Sequence, residues 1–424
     1  MTEKAPDPRE EFTLRNIASL SAVEFFWGTG LPVIIDSTFL QLFLRNLGAS
    51  SFAIGLVPAL FFIGPAALGP VSGFMTAHLD KKRRPVITFH LAAALIWVLF
   101  GLYYLAAGNT ASIVPLFLIF YAFFSAAVGL MLPVWQNYVG RVFSPRRGVS
   151  SIAVIITTQT AAKIIGSLLI LNTVEHHAFG VRSSAGIFIA VGTMFTLGSF
   201  FFLFTREMPA GDAAVSHRGS FRYHLKRSFG EVLHNRNFLR YLCGNIEFFS
   251  VVTVLAFYAN YAVEYRGIKP ALAAGLFVMI NYVTQLGMNF LFGWKNFLSL
   301  KRKCITSHII SLCGMGILIA SPNLPGFLAA SACLGSSRAM RNLVYIPTIR
   351  ILALKDDATD FFAAAPILTL PVSAFLSLFS GKVLDMLEPL GELSYRFFFS
   401  GAFVMIVISL VCILKTDFRE NSSY

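Results

Sequence analysis

The sequence predicts an all-α membrane protein of twelve transmembrane helices arranged as two six-helix pseudo-repeats, and three observations carry that prediction. Of 424 residues, 56% are hydrophobic and 13% charged, whereas soluble domains hold about half and about a quarter. The apolar residues fall into about a dozen long runs, and a hydrocarbon core of about 30 Å takes roughly 20 apolar residues per crossing helix. One polar stretch, Arg206 to Arg236, is longer than every other break and divides the runs six and six. No room is left for a sizeable soluble domain.

Taken in order, the first six segments run over about 13–44, 50–79, 85–107, 111–140, 150–173 and 183–205. The second six run over about 238–265, 270–297, 303–321, 324–354, 360–388 and 395–414. The predicted division is therefore a first half over 1–205, a linker over 206–236 and a second half over 237–424. An ordered internal repeat supports it. Arg15-Asn16 precedes Val23-Glu24-Phe25-Phe26 in segment 1, and Asn237 and Arg240 precede Ile246-Glu247-Phe248-Phe249 in segment 7. Gly55-Leu56 reaches Lys81-Lys82-Arg83 at the spacing that separates Gly275-Leu276 from Lys301-Arg302-Lys303. Two parallel copies of a six-helix unit are an arrangement in which a substrate site forms near the midplane.

The net charge of +13 would suggest nucleic acid in a soluble chain, but in a membrane protein position decides its meaning. Six of the 34 Lys and Arg, namely Arg45, Arg182, Arg266, Lys269, Lys382 and Arg396, fall on one side of the predicted membrane. Three, Lys163, Arg338 and Arg341, fall inside segments, and the other 25 share a side with the termini and linker. Because Lys and Arg are retained in the cytoplasm, both termini are expected there, in a plasma (inner) membrane. The charge is a topology signal and no nucleic-acid partner is expected. The acidic, polar Met1 to Glu11 stretch has no apolar core of its own, so no cleaved signal peptide is expected. Cys243, Cys304, Cys313, Cys333 and Cys412 lack metal-ligand spacing and read as small buried hydrophobes.

The layout resembles the major facilitator superfamily over nearly the whole chain. That family's signature between helices 2 and 3 reads Gly, three residues, Asp, Arg or Lys, any residue, Gly, then two basic residues. Here the chain reads Thr76-Ala77-His78-Leu79-Asp80-Lys81-Lys82-Arg83-Arg84. Asp80, Lys81 and Arg84 match, while Thr76 and Arg83 stand in place of the two glycines. The resemblance implies that Asp80 meets the amino end of segment 11, whose unsatisfied N–H groups attract a carboxylate; otherwise Asp80 merely terminates segment 2. It also implies that the loops after segments 4 and 10 face each other. Arg146 and Arg147 in the one and Asp356 and Asp357 in the other would then form an ion-pair gate, worth only about 0–1 kcal/mol per solvated pair.

Five ionisable residues lie well inside segments: Glu24, Lys163, Glu247, Arg338 and Arg341. At about 2.5–3.5 kcal/mol per charge at the bilayer centre, five unrelieved charges would cost on the order of 15 kcal/mol. They must face protein, water or one another. The resemblance implies that segments 1, 7 and 10 line a central path, which places Glu24, Glu247 and the Arg pair beside substrate. Arg338 and Arg341, spaced i, i+3, share a helix face and either grip an anion through the guanidinium fork or pair with Glu247. Glu24 and Glu247 are the candidates for proton coupling, Glu24 the preferred one, because burial disfavours a charged carboxyl. Lys163 follows Gln159 by one turn, on a face with Thr160, and either neutralises Glu24 or contacts substrate.

Segment 1 carries Trp27-Gly28-Thr29-Gly30-Leu31-Pro32, where two glycines and a proline are expected to weaken the helix; Pro366 and Pro371 occupy segment 11. Asn281 and Gln285 share a face of segment 8, and Trp27, Trp135, Tyr282 and Tyr345 could offer stacking faces to a ligand. No phosphate loop, zinc pair or nucleophile elbow is present, so no enzyme, cofactor or metal is expected. The expected function is a secondary transporter, a monomer moving a small polar or anionic solute by alternating access with H⁺ as coupling ion. The alternatives are a drug exporter of the same fold and a transporter-like sensor that moves nothing.

Overall fold

Long apolar runs in hydrocarbon must satisfy their backbone groups internally, as helices or closed barrels, and helices are what form. The computed structural model describes residues 8–35, 38–77, 79–208, 229–230, 232–294, 298–353 and 359–418, and no strand occurs among them. The helices of the first part are α1 (Thr13–Ile34), α2 (Phe39–Asn46), α3 (Ser51–Ala77), α4 (Arg83–Ala107), α5 (Ile113–Val142), α6 (Pro145–His177) and α7 (Val181–Phe200). Those of the second part are α8 (Arg236–Gly244), α9 (Ile246–Arg266), α10 (Phe277–Met288), α11 (Leu300–Ala320), α12 (Leu324–Ala353), α13 (Thr359–Met386) and α14 (Glu392–Leu414). Eleven stretches among the described residues are long and apolar enough to cross a membrane, with α8 and α9 forming one of them. The remaining predicted segment, the tenth, is α12, which has 30 residues but carries Arg338 and Arg341 and stands outside that set.

Several segment boundaries differ from expectation for local reasons. Segment 1 does not run to 44: α1 stops at Ile34, two residues beyond Pro32, and α2 is a separate helix with its first six residues buried. Segment 7 is broken at Asn245 into α8 and α9. Segment 8 contains α10 flanked by two wide helical turns, Leu272–Leu276 and Asn289–Trp294. α6 begins at Pro145, which suits the first turn because its missing N–H is not needed there, so Arg146 and Arg147 belong to a helix rather than a loop. Of the cysteines expected to be buried, Cys304 is; Cys243 and Cys313 are exposed.

The chain divides into two compact units. Unit 1 comprises Met1–Val33, Ile63–Gly166 and Gly180–Gly219; unit 2 comprises Ile34–Phe62, Ser167–Phe179 and Ser220–Tyr424. Unit 1 has an aromatic core in which Trp97 stacks on Phe188 and meets Phe117, Tyr121 and Phe124. Unit 2 has a core around Tyr258, Tyr261, Phe277, Phe327 and Phe399.

The sequence repeat has a structural counterpart inside each unit. In unit 1 the fully buried Asn16 accepts from the Arg206 N–H at 2.7 Å and donates to the Val142 and Arg206 carbonyls at 2.9 and 3.1 Å. In unit 2 Asn237 accepts from the Asp417 N–H at 2.9 Å and donates to its carbonyl at 2.6 Å. In both, an asparagine at the start of a six-segment stretch clasps the backbone just past its end, and so satisfies groups that a finishing helix leaves open.

Candidate functional site

In unit 1, glycines bring α1 and α6 into backbone contact. A Cβ on Gly28 would lie 2.6 Å from the Gln159 carbonyl oxygen, and one on Gly166 would lie 2.1 Å from that of Thr29. The expected weakening at Gly28 and Gly30 does not occur, since α1 runs unbroken through both to Ile34; the missing side chains serve close approach instead. That approach sets Gln159 beside Glu24, a residue 7% exposed whose carboxylate accepts a hydrogen bond from the Gln159 side-chain amide. Lys163, one turn further along α6 and half-buried, lies within electrostatic reach of Glu24. On its other side Glu24 borders a small cleft lined by Leu20, Trp135, Val139, Ile152 and Ile156. A carboxylate between an amide, an ammonium and an apolar cleft is in the kind of surroundings where gain and loss of a proton are governed by solvation. Trp27 is core: its ring stacks on Phe195 at 4.0 Å with planes parallel, and meets His90 edge-on.

At the start of α4, Glu207 does what the sequence motif did not announce. Its carboxylate accepts from the Lys82 and Arg83 N–H groups at 2.7 and 2.9 Å, capping α4, with Arg141 at 3.9 Å. Arg141 donates to the Leu79 and Asp80 carbonyls. The Asp80 side chain is exposed, as are Lys81 and Arg84. Lys82 is held at 3% exposure with its ammonium donating to the Thr76 carbonyl at 2.9 Å. Burial, and next the like charge of Arg141, push its pKa down to about 8 against the opposing pull of Glu207. Arg147 is exposed in the first turn of α6. The Arg146 side chain, Asp356 and Asp357 lie outside the described residues, as does most of the predicted linker.

In unit 2, Glu247 opens α9 at 2% exposure, where the helix N-terminus favours a carboxylate. Its Oε1 accepts from Ser311 and, at 3.2 Å, from Ser307, both on α11; the Ser307 hydroxyl is also 3.1 Å from the Ser337 carbonyl. No ion pair joins Glu247 to Arg341 among the described residues. The Arg341 guanidinium instead lies between the rings of Phe248 and Tyr345, each 4.1 Å away, a cation–π arrangement that keeps its donor edge open. Arg338 is half-buried one turn earlier on α12. Gln285 donates to Asn281 at 2.6 Å and Asn281 to the Ser331 carbonyl at 3.4 Å, so this pair ties α10 to α12. Tyr282 is fully buried. Ser307, Ser311 and Glu207 escaped the sequence reading, and Phe248 entered it only through the repeat; the i, i+4 spacing of the two serines on one helix face was the available signal.

The family model for the Major Facilitator Superfamily matches residues 25–340. Among solved structures, the nucleoside transporter NupG, in a mutant form, superposes with a TM-score of 0.72 at 11% identity, over 96% of this chain and 99% of that one. A D-xylose–proton symporter gives 0.67 at 14% identity, over 96% and 98%. A bacterial homologue of the human lysosomal transporter Spinster, inward-facing and unoccupied, gives 0.65 at 14% identity, over 96% and 97%. None of the curated proteins matches the sequence.

Proposed function

The chain belongs to the major facilitator superfamily and is an integral membrane protein of the secondary-transporter class; from that premise we propose that it carries a small polar or anionic solute by alternating access, coupled to protons through Glu24. In this reading it comprises two six-helix halves, 1–205 and 237–424, with both termini in the cytoplasm of a cell whose plasma membrane it spans. The observation that carries the coupling is the setting of Glu24: nearly buried in mid-helix, bonded to a neutral amide and bordered by an apolar cleft. Such a carboxyl loses a proton when solvated and regains it when water leaves. Anion selection falls to Arg341, held between two rings with its hydrogen-bonding edge uncommitted to a carboxylate among the described residues, and to Arg338 beside it.

Purified protein in liposomes tests this directly. An imposed pH gradient should drive accumulation of one member of a panel of sugars, sugar phosphates and carboxylates. Glu24→Gln should lose accumulation but keep exchange of labelled for unlabelled solute. Gradient-independent accumulation by the wild type would refute the coupling, and binding without exchange would point to a sensor. The apolar cleft beside Glu24, with Trp135 in its wall, favours a second reading, export of a lipophilic cation; uptake of a cationic dye but of no anion would select it.

A further inference from the structure

Unit 2 holds a set of contacts between residues far apart in sequence, at the end where α9 and α13 finish and α14 begins. Asp385, in the last turn of α13, accepts from the N–H groups of Ser51 at 2.7 Å and Phe52 at 2.8 Å, the first two residues of α3. Those N–H groups have no partner within their own helix, and a carboxylate there also meets the positive end of the helix dipole. α3 and α13 come close enough that a Cβ on Gly381 would lie 2.4 Å from the Ser51 carbonyl oxygen, and one on Gly55 would lie 2.6 Å from that of Ser377. Beside this, Arg45 of α2 donates to both carboxylate oxygens of Glu264 on α9, from Nε to Oε1 and from Nη2 to Oε2 at 3.2 Å, and its Nη1 reaches the Ala49 carbonyl. Thr38 donates to the Ala273 carbonyl.

We propose that Asp385 is a positioning residue of the transport cycle: it latches the amino end of α3 to the carboxyl end of α13, with Arg45 and Glu264 as a second fastening, and so holds this end of the protein shut. The proposal rests on the transporter reading above, and on the orientation given by Lys and Arg the latched end is the outer one. The chemistry suits a reversible catch. Both fastenings consist of charges and backbone donors that water solvates once they part, so separation exposes no apolar surface of their own and strands no group in hydrocarbon. Asp385 also ties opening to a helix end, so α3 must move along its axis or tilt before the outer mouth widens.

Nitroxide labels at Asn46 and Leu390, both exposed, in the full chain freed of its five cysteines and placed in lipid discs, read the latch as a distance distribution without substrate or a proton gradient. The wild type should show a dominant short distance. Asp385→Ala should raise the ratio of long to short distances roughly two- to thirtyfold, the range given by loss of a helix cap. Arg45→Glu should act in the same direction, and Arg45→Glu combined with Glu264→Arg should recover the short distance. A merely structural Asp385 would lower the melting temperature and leave the distribution in place; superposable distributions for the wild type and Asp385→Ala overturn the latch. Should Asp385→Ala fail to fold, Asp385→Asn, which keeps one acceptor and loses the charge, is judged by the same criterion. Because transport is not the readout, a chain that proves uncoupled from protons still reports the latch.

Discussion

Asn16 closes a two-way hydrogen-bond clasp on the backbone of Arg206, 190 residues away, and does so with no exposed surface. Its counterpart Asn237 holds Asp417 in the same manner at a half-exposed position. Asn16→Ala should therefore cost about 1–3 kcal/mol, because it removes the partner of one N–H and two carbonyls, the Val142 carbonyl among them buried. Asn237→Ala should cost less, since water replaces the lost bonds. Thermal unfolding of both variants in one detergent checks the order, and equal losses would contradict it.

Glu24→Gln keeps the shape of the side chain and can still meet Gln159, so folding should survive. Gradient-driven accumulation should fall by at least tenfold while exchange persists. Gln159→Leu should preserve coupling with altered efficiency, since the carboxyl remains. A Glu24→Gln protein that accumulates solute at the wild-type rate would remove Glu24 from the mechanism.

Lys82 makes stability depend on pH with a definite sign. Its pKa is lowered from 10.5 to about 8 in the folded protein, so between those values the unfolded chain binds more protons and stability rises with pH. The contribution is complete above about 10.5 and is lost as pH falls through about 8. Lys82→Met should remove that slope: the variant should gain melting temperature relative to wild type at pH 7, and the gap should narrow by pH 10. Parallel melting curves for the two proteins across pH 7 to 10 would show that Lys82 is hydrated in the folded state.

Gly166→Ala places a methyl 2.1 Å from the Thr29 carbonyl oxygen. Backbone cannot yield as a side-chain tip can, and a forced separation of α1 from α6 should cost about 1–3 kcal/mol. Gly186→Ala, which meets nothing within 4 Å, is the control and should be neutral or slightly stabilising.

Arg341 tests whether planarity or charge matters. Arg341→Lys keeps the charge but loses the flat stack between Phe248 and Tyr345, worth about 0.5–2 kcal/mol. If an anion is gripped there, Lys should weaken ligand-induced thermal stabilisation several-fold and Met should abolish it. Equal ligand stabilisation in wild type and Arg341→Met would show that the solute is bound elsewhere.

The membrane helices were legible because a span writes itself as about 20 consecutive residues of one character, and the repeat was legible through Asn16 and Asn237. Helix interruptions were harder. Pro32 and Asn245 are single polar or cyclic residues in long apolar runs, and whether they end a helix depends on what packs beside them. Glycines in segment 1 read as flexible points, yet the neighbouring α6 uses the same missing Cβ atoms for contact. Pairing with Glu247 is one of the two readings the sequence leaves open for the arginines, because opposite charges attract; in the structure two uncharged serines on α11 bond its carboxylate instead. Glu207, Asp385 and the Arg45–Glu264 pair join positions more than a hundred residues apart; nothing in local spacing announces such partners.

Backbone-to-backbone contact at Gly28 and Gly166 makes α1 and α6 a single stiff lever. A load applied at one end is transmitted along both rods with no compressible side chain between them, so the Gly-Pro run of segment 1 is a poor place for compliance. Strain has to be released where the rods stop, at the ends of α1 and α6. In the cycle proposed above, the Glu24–Gln159 bond travels on a rigid arm, its geometry constant while the water around it changes.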